Sequence, residues 1–444
     1  MPRWAISLFI VVSVLGFGWH FWNSRERILS SKHEVDTGTI EIVREIQSGN
    51  QSPTNSEENS EHRFSVKQKI CLNMIVKNES KVIKRCLDSV RSLIDYWVIV
   101  DTGSNDRTQK IIKEYLKDIP GELHERPWRN FGDNRNEALQ LAKGKGDYIL
   151  FMDADDILEF EKDFEPMFLT KDLYNMWRGT KGFTYTKPQL VKADLPWKWV
   201  GVTHEYLGCD QPFAEEILEN VRYITFSDGA SSVDSKKLYR NIELLTEGLK
   251  KEPNNHRYVF YLAESYRCIG DKGKALEWFQ KAVDMKGWDE EVFWSKLQIA
   301  HHLQYIGLPA TTVIKSYKDA HRFRPHRVEP IYFLAEIYNQ LGQHEKAYTT
   351  IKARDLIPKP AQKDSLFNED WIEEYGLLFQ FSICSYYEGH YQESLDACNK
   401  LLAIKDLPES IRKRTESNLT FPLAKLTSKS PAEKPKSTKK FLFF

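Results

Sequence analysis

The sequence predicts an α/β domain with a mostly parallel sheet, an all-α domain of helical repeats after it, and a single transmembrane helix before it. Between residues 69 and 160, apolar runs of strand length alternate with helical patterns, which indicates right-handed βαβ units. From residue 236 the strand patterns stop, and helical spacing continues to about residue 425. The length of 444 residues suits about two or three domains.

The amino terminus carries a long stretch without charge. Residues 4–22 contain no Asp, Glu, Lys or Arg, and their length is about that needed to cross a bilayer as a helix. A cleaved signal peptide is the alternative, but the stretch ends in bulky aromatic residues, which make a poor cleavage site. We therefore expect an uncleaved single-pass anchor after a tail at residues 1–3, with its orientation left open by basic residues on both sides. The polar residues 23–66 predict a flexible stem.

Three carboxylates, Asp153, Asp155 and Asp156, follow a short apolar run at residues 149–152. For Asp156 we expect a helix cap rather than a third ligand or an acceptor contact. Such a run fits a buried parallel strand, and α/β sheets place their ligands at the carboxyl ends of these strands. Asp153 and Asp155 point to the same side of an extended chain, which suits a divalent ion held by one or two carboxylates plus substrate phosphates. The alternative is an acidic strand-to-loop junction, and these residues alone do not distinguish the two.

Two earlier strand ends also carry polar groups. The strand predicted at residues 70–76 is followed by Lys77-Asn-Glu79, and the strand predicted at residues 96–101 ends in Asp101. Each group alone is more often a turn or cap residue, and Ser80 is expected to cap the next helix. Because the ends of parallel strands share one edge of a sheet, the groups together predict a nucleotide crevice.

Charge and missing motifs exclude several classes of function. Lys plus Arg equals Asp plus Glu, with 63 of each, so no bulk positive charge attracts nucleic acid. The chain has no Gly-x-Gly-x-x-Gly loop and no Gly-Lys-Ser/Thr loop. Neither a dinucleotide-binding fold nor a P-loop is therefore indicated.

Four ordered motifs resemble the nucleotide-sugar half of family 2 glycosyltransferases. They are Asn73-Met-Ile-Val-Lys-Asn-Glu79, Val100-Asp-Thr-Gly-Ser-Asn-Asp-Arg-Thr108, Asn134-Arg-Asn-Glu-Ala-Leu139 and Phe151-Met-Asp-Ala-Asp155. Within that family they are similar to the branch whose first strand ends in Lys-Asn-Glu. The resemblance implies the GT-A fold, a Rossmann-like fold of nucleotide-diphospho-sugar transferases, over a domain at residues 67–232.

The resemblance also implies roles for single residues. Asp101 matches the carboxylate that hydrogen-bonds the nucleobase, usually uracil. Asp153 and Asp155 match the Asp-x-Asp motif, which binds Mn²⁺ or Mg²⁺ across the diphosphate. Arg135 matches the Ala-Arg-Asn arginine near the nucleotide, although this chain has Asn134 where Ala is usual. The implied donor-binding set is Lys77, Asn78, Glu79, Asp101, Arg135 and Asp153.

A later segment supplies the remaining candidates. Trp197-Lys-Trp-Val-Gly-Val-Thr-His-Glu-Tyr206 resembles the second block of the same branch, in which His-Glu follows an aromatic residue and a glycine. The resemblance implies that His204 completes the metal or diphosphate site with Asp153 and Asp155. Family members invert by single displacement, so a base must take the proton of the acceptor. Glu205 is the candidate base, and Asp155 is counted with it as catalytic.

The same segment has a structural interpretation. A Trp-rich strand with one hydrogen-bonded histidine is common in protein cores. Trp197 and Trp199 are therefore either a stacking wall for the acceptor or part of the core.

The helical half fits the tetratricopeptide pattern. In its clearest unit, small and aromatic residues fall at the expected spacing, namely Ala263, Tyr266, Gly270, Ala275, Phe279 and Ala282. Further units are predicted around residues 290–325, 334–347 and 375–402, with a half-repeat at 237–253. We expect a tetratricopeptide-like α-solenoid at residues 236–425 and a disordered tail at 426–444. Its groove either binds a protein partner or acceptor, or the solenoid only supports the catalytic domain.

These observations lead to two functions of different classes. The first is a membrane-anchored, metal-dependent, inverting glycosyltransferase that moves a sugar from a nucleotide sugar, a UDP-sugar by resemblance, to a protein, peptide or glycan acceptor. The alternative is a catalytically inactive tetratricopeptide scaffold or adaptor with a vestigial nucleotide-sugar domain. A nucleotidyltransferase is a weaker third interpretation, because the Gly-rich, basic triphosphate loop is missing after the first strand.

Overall fold

The computed structural model describes residues 68–161, 169–226, 228–230, 234, 236–358, 360 and 363–428. The predicted anchor at residues 4–22 and the predicted stem at 23–66 lie outside these residues, as does nearly all of the predicted tail. Within the described ranges, no helix combines the length and the apolar character needed to cross a membrane.

The first half of the α/β domain alternates strands and helices as predicted. In chain order the elements are β1 Ile70–Val76, α1 Ile83–Val90, β2 Tyr96–Asp101, α2 Thr108–Tyr115, β3 Gly121–Glu125, α3 Phe131–Ala142 and β4 Tyr148–Phe151. The four strands pair in parallel in the order β3-β2-β1-β4. Their carboxyl ends therefore meet at one edge of the sheet.

Side-chain alternation along β1 explains why both faces of this sheet are covered. Ile70, Leu72 and Met74 pack into the cluster that includes the apolar faces of α1 and α2, whereas Cys71 packs with residues of α3 on the opposite face. Successive side chains of a strand point to opposite faces. A nearly continuous apolar run therefore supplies apolar side chains to the core on both faces of the sheet.

The second half of the domain is mostly antiparallel, and the sequence patterns did not predict most of its strands. They are β5 Ile157–Phe160, β6 Leu173–Thr180, β7 Phe183–Lys192, β8 Lys198–Val200, β9 Tyr206–Gly208 and β10 Glu215–Ile224. The complete large sheet has eight strands in the order β3-β2-β1-β4-β7-β6-β10-β5, and β8 and β9 form a separate hairpin. β6 and β7 thus extend the sheet beyond β4.

The carboxyl-terminal half consists of helices that pack in successive pairs. They are α4 Lys237–Lys251, α5 His256–Cys268, α6 Lys272–Met285, α7 Asp289–Tyr305, α8 Ala310–Phe323, α9 Glu329–Gln340, α10 His344–Arg354, α11 Leu377–Tyr387, α12 Tyr391–Ala403 and α13 Glu409–Thr427. The first helix of each predicted repeat ends at a glycine with positive φ, namely Gly270, Gly307, Gly342 and Gly389. This left-handed C′ position favours glycine. The last helix runs to Thr427, two residues beyond the predicted end of the solenoid.

The connection between α10 and α11 packs against the first helices of the repeats. Phe367 lies against Phe260 of α5 and Trp294 of α7, with ring centroids 6.4 and 5.1 Å apart. Arg327, which precedes α9, donates hydrogen bonds to the carbonyl groups of Leu366 and Phe367 at 3.2 and 2.8 Å. The segment at residues 363–371 therefore touches the first three helical pairs.

The same segment joins the helical repeats to the sheet. Asn368 and Thr184 of β7 exchange backbone hydrogen bonds at 2.9 and 2.7 Å, and the Thr186 N–H donates to the Ser365 carbonyl at 2.8 Å. The ring of Phe183 stacks on Phe367 at 5.7 Å. Residues 363–371 thus contact both the repeats and β7, which is consistent with the supporting role of the solenoid.

Two local predictions were wrong. Helix α1 begins at Ile83, with Val82 as the N-cap residue and no side-chain cap; Ser80 instead donates its backbone N–H to Asp106 Oδ2 at 3.1 Å. Asp156, interpreted as a helix cap, precedes strand β5 rather than a helix.

Candidate functional site

The end of β2 places one carboxyl group in the interior. Asp101 is fully buried, and its Oδ1 accepts hydrogen bonds from the N–H groups of Gly103 and Ser104 at 2.9 and 2.7 Å. Asp101 Oδ2 has no hydrogen-bond partner among the described residues. A buried acceptor without a partner costs free energy, so the turn presents an oxygen that fits an N–H group of a ligand.

The loop after β1 is tied to the loop after β2. Asn78 has a φ of +59°, a left-handed conformation that asparagine tolerates. Its N–H donates to Ser104 Oγ, and its Oδ1 accepts from the Asn105 N–H, both at 2.8 Å. Lys77 is exposed and Glu79 is buried. The hydrogen bonds therefore hold the first two strand ends together as one surface.

Residues 228–230 lie over two of the candidate carboxylates. The Ala230 N–H donates to Glu79 Oε2 at 3.0 Å, and the Gly229 N–H donates to Asp155 Oδ2 at 3.2 Å. Burial raises the pKa of the Glu79 carboxyl to about 7. The segment links the first and fourth strand ends.

Asp153 is held by two arginines from different elements. Arg135 of α3 donates from Nη2 to Asp153 Oδ1 at 2.5 Å, and Arg178 of β6 donates to Asp153 Oδ2 at 3.2 Å. The Asp153 N–H donates to the hydroxyl of Tyr223 at 2.9 Å. Although burial opposes it, Arg135, Lys187 and Arg178 hold the pKa of the Asp153 carboxyl well below its usual value.

Two cations of the antiparallel strands belong to this site and were missed by sequence reasoning. Arg178 also donates to Asp156 Oδ2 at 2.6 Å, and burial raises the pKa of the Asp156 carboxyl to about 7. Burial lowers the pKa of the Lys187 ammonium on β7 to about 8. Arg178 and Lys187 are charged residues within strands, a pattern that could have indicated a role in the site. The strands themselves were not predicted, so this pattern was not recognised.

Glu205 and His204 face different surroundings. Glu205 is buried, and its Oε1 accepts from Arg135 Nε at 2.7 Å. Although burial opposes it, Arg135 and Lys187 lower the pKa of the Glu205 carboxyl. The imidazole of His204 stacks on Tyr261 of α5, with ring centroids 4.2 Å apart, and its Nε2 lies 3.3 Å from Nδ2 of Asn241 on α4.

The two tryptophans of this segment are core residues. Trp197 and Trp199 are each 2% exposed and pack in the cluster beneath β4 and α3. They do not form a wall for an acceptor.

The structure brings some of the predicted residues together and not others. Arg135 joins Asp153 to Glu205, whereas His204 is directed towards the helical domain. Among the described residues, no group of three or more His, Cys, Asp and Glu side chains is arranged to hold a metal ion. The expected set of Asp153, Asp155 and His204 is therefore not formed.

A site of two carboxylates fits the chemistry of a divalent cation better than the set with histidine. Mg²⁺ prefers oxygen ligands and is usually bound through one or two carboxylates, with substrate phosphates and water completing its shell. Asp153 and Asp155 supply such oxygens at the end of β4, and the Asp153 side chain is 28% exposed. These two residues would hold the ion.

Comparison with known proteins agrees with this architecture. Residues 71–170 match the model of the family "Glycosyl transferase family 2", the range that contains β1 to β5 and most of the candidate residues. Residues 71–170 of the α/β domain therefore form a region that matches this family.

Individual relatives are more distant. The SPbeta prophage-derived glycosyltransferase SunS of Bacillus subtilis is 25% identical over 229 residues, which cover 48% of this chain and 53% of SunS. The chain thus spans about half the length of that relative. A TPR repeat-containing protein of Synechococcus elongatus is 39% identical over 92 residues, 21% of this chain and 22% of that protein. The crystal structure of MamA aligns with a TM-score of 0.31 and 16% identity, over 44% of this chain and 99% of MamA.

Proposed function

We propose that the protein is a glycosyltransferase that transfers a sugar from a nucleotide sugar to an acceptor. The observation that carries the proposal is the single sheet edge at which Asp101, Asn78, Glu79, Asp153 and Asp155 follow three neighbouring parallel strands. The unpaired Oδ2 of Asp101 suits the N–H of a uracil ring, which supports a UDP-sugar as donor.

The charged network fits the demands of the leaving group. A nucleoside diphosphate leaves only if its developing charge is stabilised. Arg135, Arg178 and Lys187 are cations placed around Asp153 by α3, β6 and β7, and in a partly dry site fixed charges act more strongly than in water. A divalent cation held by Asp153 and Asp155 would add Lewis-acid stabilisation when bound.

An inverting displacement also needs a base for the acceptor. We propose Glu205 for this role, because its buried carboxylate is held beside Arg135, which also binds Asp153 at the donor site. Arg135 orients that carboxylate through the 2.7 Å contact. Anchoring in a membrane through residues 4–22 remains a proposal from the sequence.

Donor hydrolysis tests the proposal. The full chain is incubated with UDP-, GDP- and dTDP-sugars and Mn²⁺ or Mg²⁺, and release of nucleoside diphosphate is measured. We expect hydrolysis of one donor class, its loss with EDTA, and a decrease of at least 10-fold in Asp155→Asn and in Glu205→Gln. Asp194→Asn, at an exposed position, is the matched control.

The scaffold alternative predicts a different result. If no nucleotide sugar is bound or hydrolysed by the folded wild-type chain, the domain is vestigial and the transferase proposal is wrong. Hydrolysis that persists in EDTA would leave the transferase proposal standing and remove the metal from it.

A further inference from the structure

A cavity of about 580 Å³ lies at Tyr206, the residue after the candidate base, where the β8–β9 hairpin meets the helical repeats. Its walls come from Tyr206 on β9, from the connection between α4 and α5, and from the start of α7. The volume falls within the range of about 300–1,000 Å³ that is typical of ligand pockets. None of the predicted donor-binding residues lines this cavity.

Two large aromatic side chains are exposed on its walls. Tyr206 is 46% exposed and Trp288 is 41% exposed, whereas Trp197 and Trp199 are buried. Exposed aromatic rings in a concave polar site are typical of binding surfaces. The C–H face of a pyranose ring packs on such a ring while its hydroxyl groups hydrogen-bond the neighbouring polar side chains.

The charged groups of the cavity are already paired. Arg257 Nη1 donates to Glu291 Oε1 at 2.7 Å, and His256 Nδ1 lies 3.3 Å from Glu291 Oε2. Asn255 Nδ2 donates to Glu252 Oε2 at 2.9 Å. Because Glu291 is paired with Arg257 and His256, and Glu252 is hydrogen-bonded by an amide, the cavity is suited to a neutral ligand rich in hydroxyl groups rather than to an anion.

A hydrogen bond links a wall residue of the cavity to the segment that contains Glu205. Arg257 Nε donates to the carbonyl of His204 at 2.8 Å, and its guanidinium lies 5.4 Å from the ring of Tyr206. His204 has a φ of +51°, a strained conformation for a histidine. The Arg257 contact therefore fixes the backbone immediately before Glu205 and Tyr206.

We propose that the cavity between Tyr206 and Trp288 binds a neutral saccharide unit of the acceptor. That this saccharide belongs to the acceptor rests on the proposed function, whereas saccharide binding itself does not. Tyr206 and Trp288 hold the sugar faces, and Asn254 and Glu252 face its hydroxyl groups.

Ligand-observed saturation-transfer NMR on the full chain tests this site. The probes are methyl β-glucoside, methyl β-galactoside, methyl β-N-acetylglucosaminide, lactose and cellobiose. We expect saturable binding of at least one probe, weakened at least 10-fold in Trp288→Ala and in Tyr206→Ala. Tyr305→Ala, also at an exposed aromatic position (54% exposed), is the matched control, and melting temperatures confirm that each variant is folded.

The outcomes separate this inference from the transferase proposal. If wild-type protein hydrolyses a nucleotide sugar but binds none of the saccharides, or if binding is unchanged in both aromatic variants, the saccharide site is wrong and the transferase stands. If the saccharide binds and no nucleotide sugar does, the saccharide site stands without the transferase. The inference would also be overturned if sugar transfer to a peptide required Trp288 while the protein bound no saccharide.

Discussion

At the scale of single residues, the site depends on a few buried polar atoms whose partners are set by the turn geometry. The Asp101 carboxylate uses one oxygen to fix its own turn and leaves the other without a partner among the described residues. A structural aspartate would need only the first contact. The second oxygen is the part of this residue that a ligand can use.

Asp101→Asn separates these two uses. The amide oxygen still accepts from Gly103 and Ser104, but the second position becomes a donor. We expect UDP to bind about 10–100-fold more weakly, because hydrogen bonds to charged groups contribute about 1.5–3 kcal/mol, with little change in melting temperature. Calorimetric titration with UDP and GDP measures the effect, and Asp88→Asn, at an exposed position, is the control. Unchanged UDP affinity would contradict the nucleobase role.

The raised pKa of Glu79 predicts that the free energy of unfolding depends on pH. Burial raises the pKa of Glu79 to about 7 in the folded chain, above the ordinary value of 4.5 for a glutamate. The folded state therefore binds more protons between these values, and stability falls as the pH rises from about 4.5 to 7. Glu79→Gln mimics the protonated form and keeps an acceptor for Ala230. Relative to wild type, we expect it to gain on the order of 2–3 kcal/mol across this window.

Urea denaturation at a series of pH values measures this difference. Glu216→Gln, at an exposed position, should follow the wild-type profile. Parallel curves for Glu79→Gln and wild type would show that burial of Glu79 does not shift its proton affinity.

At the scale of elements, the site is assembled from parallel strand ends on one side and antiparallel strands on the other. Arg178 and Lys187 come from β6 and β7, whose polar and aromatic residues interrupt a simple alternating pattern. The segment at residues 228–230 then connects Asp155 with Glu79. The position of the Asp155 carboxylate therefore depends on an element distant in sequence.

Gly229→Ala tests that dependence. An added Cβ would lie 2.5 Å from Asp155 Oδ2 and 2.8 Å from its Cβ, so either the segment or the carboxylate has to move. We expect the rate of donor hydrolysis to decrease at least 10-fold. Gly273→Ala is the matched control, because its added Cβ has its nearest neighbour at 3.9 Å and alanine favours a helix. Equal rates in both variants would show that this contact does not position Asp155.

At the scale of the whole molecule, the helical repeats and the sheet are joined by the segment at residues 363–371. Phe367 stacks on Phe183 of the sheet and makes an edge-to-face contact with Trp294 of the repeats, and Arg327 donates a hydrogen bond to its carbonyl group. The repeats thus contact the sheet through this segment, and the cavity at Tyr206 and Trp288 forms at a second junction between the same parts.

Phe367→Ala should weaken the packing between the sheet and the helical repeats. We expect a loss of about 2–3 kcal/mol, somewhat less than for a fully buried phenylalanine, and faster proteolysis between the sheet and the repeats. Chemical denaturation and limited proteolysis measure both. Leu356→Ala, 84% exposed on the same connection, should change neither. A loss of stability with no change in proteolysis at the junction would assign Phe367 to the packing of the repeats alone.

The sequence alone was sufficient to predict three of the first four strands, at residues 70–76, 96–101 and 149–152, with the polar residues at their ends. Buried parallel strands read as apolar runs, and turn chemistry marks where they stop. It also determined the repeat pattern, since small residues and glycines recur where helices approach and end. Only the tertiary structure decided that His204 faces the helices, that Trp197 and Trp199 are core residues, and that Arg178 and Lys187 join the site. These outcomes depend on contacts between residues far apart in sequence, which local patterns do not record.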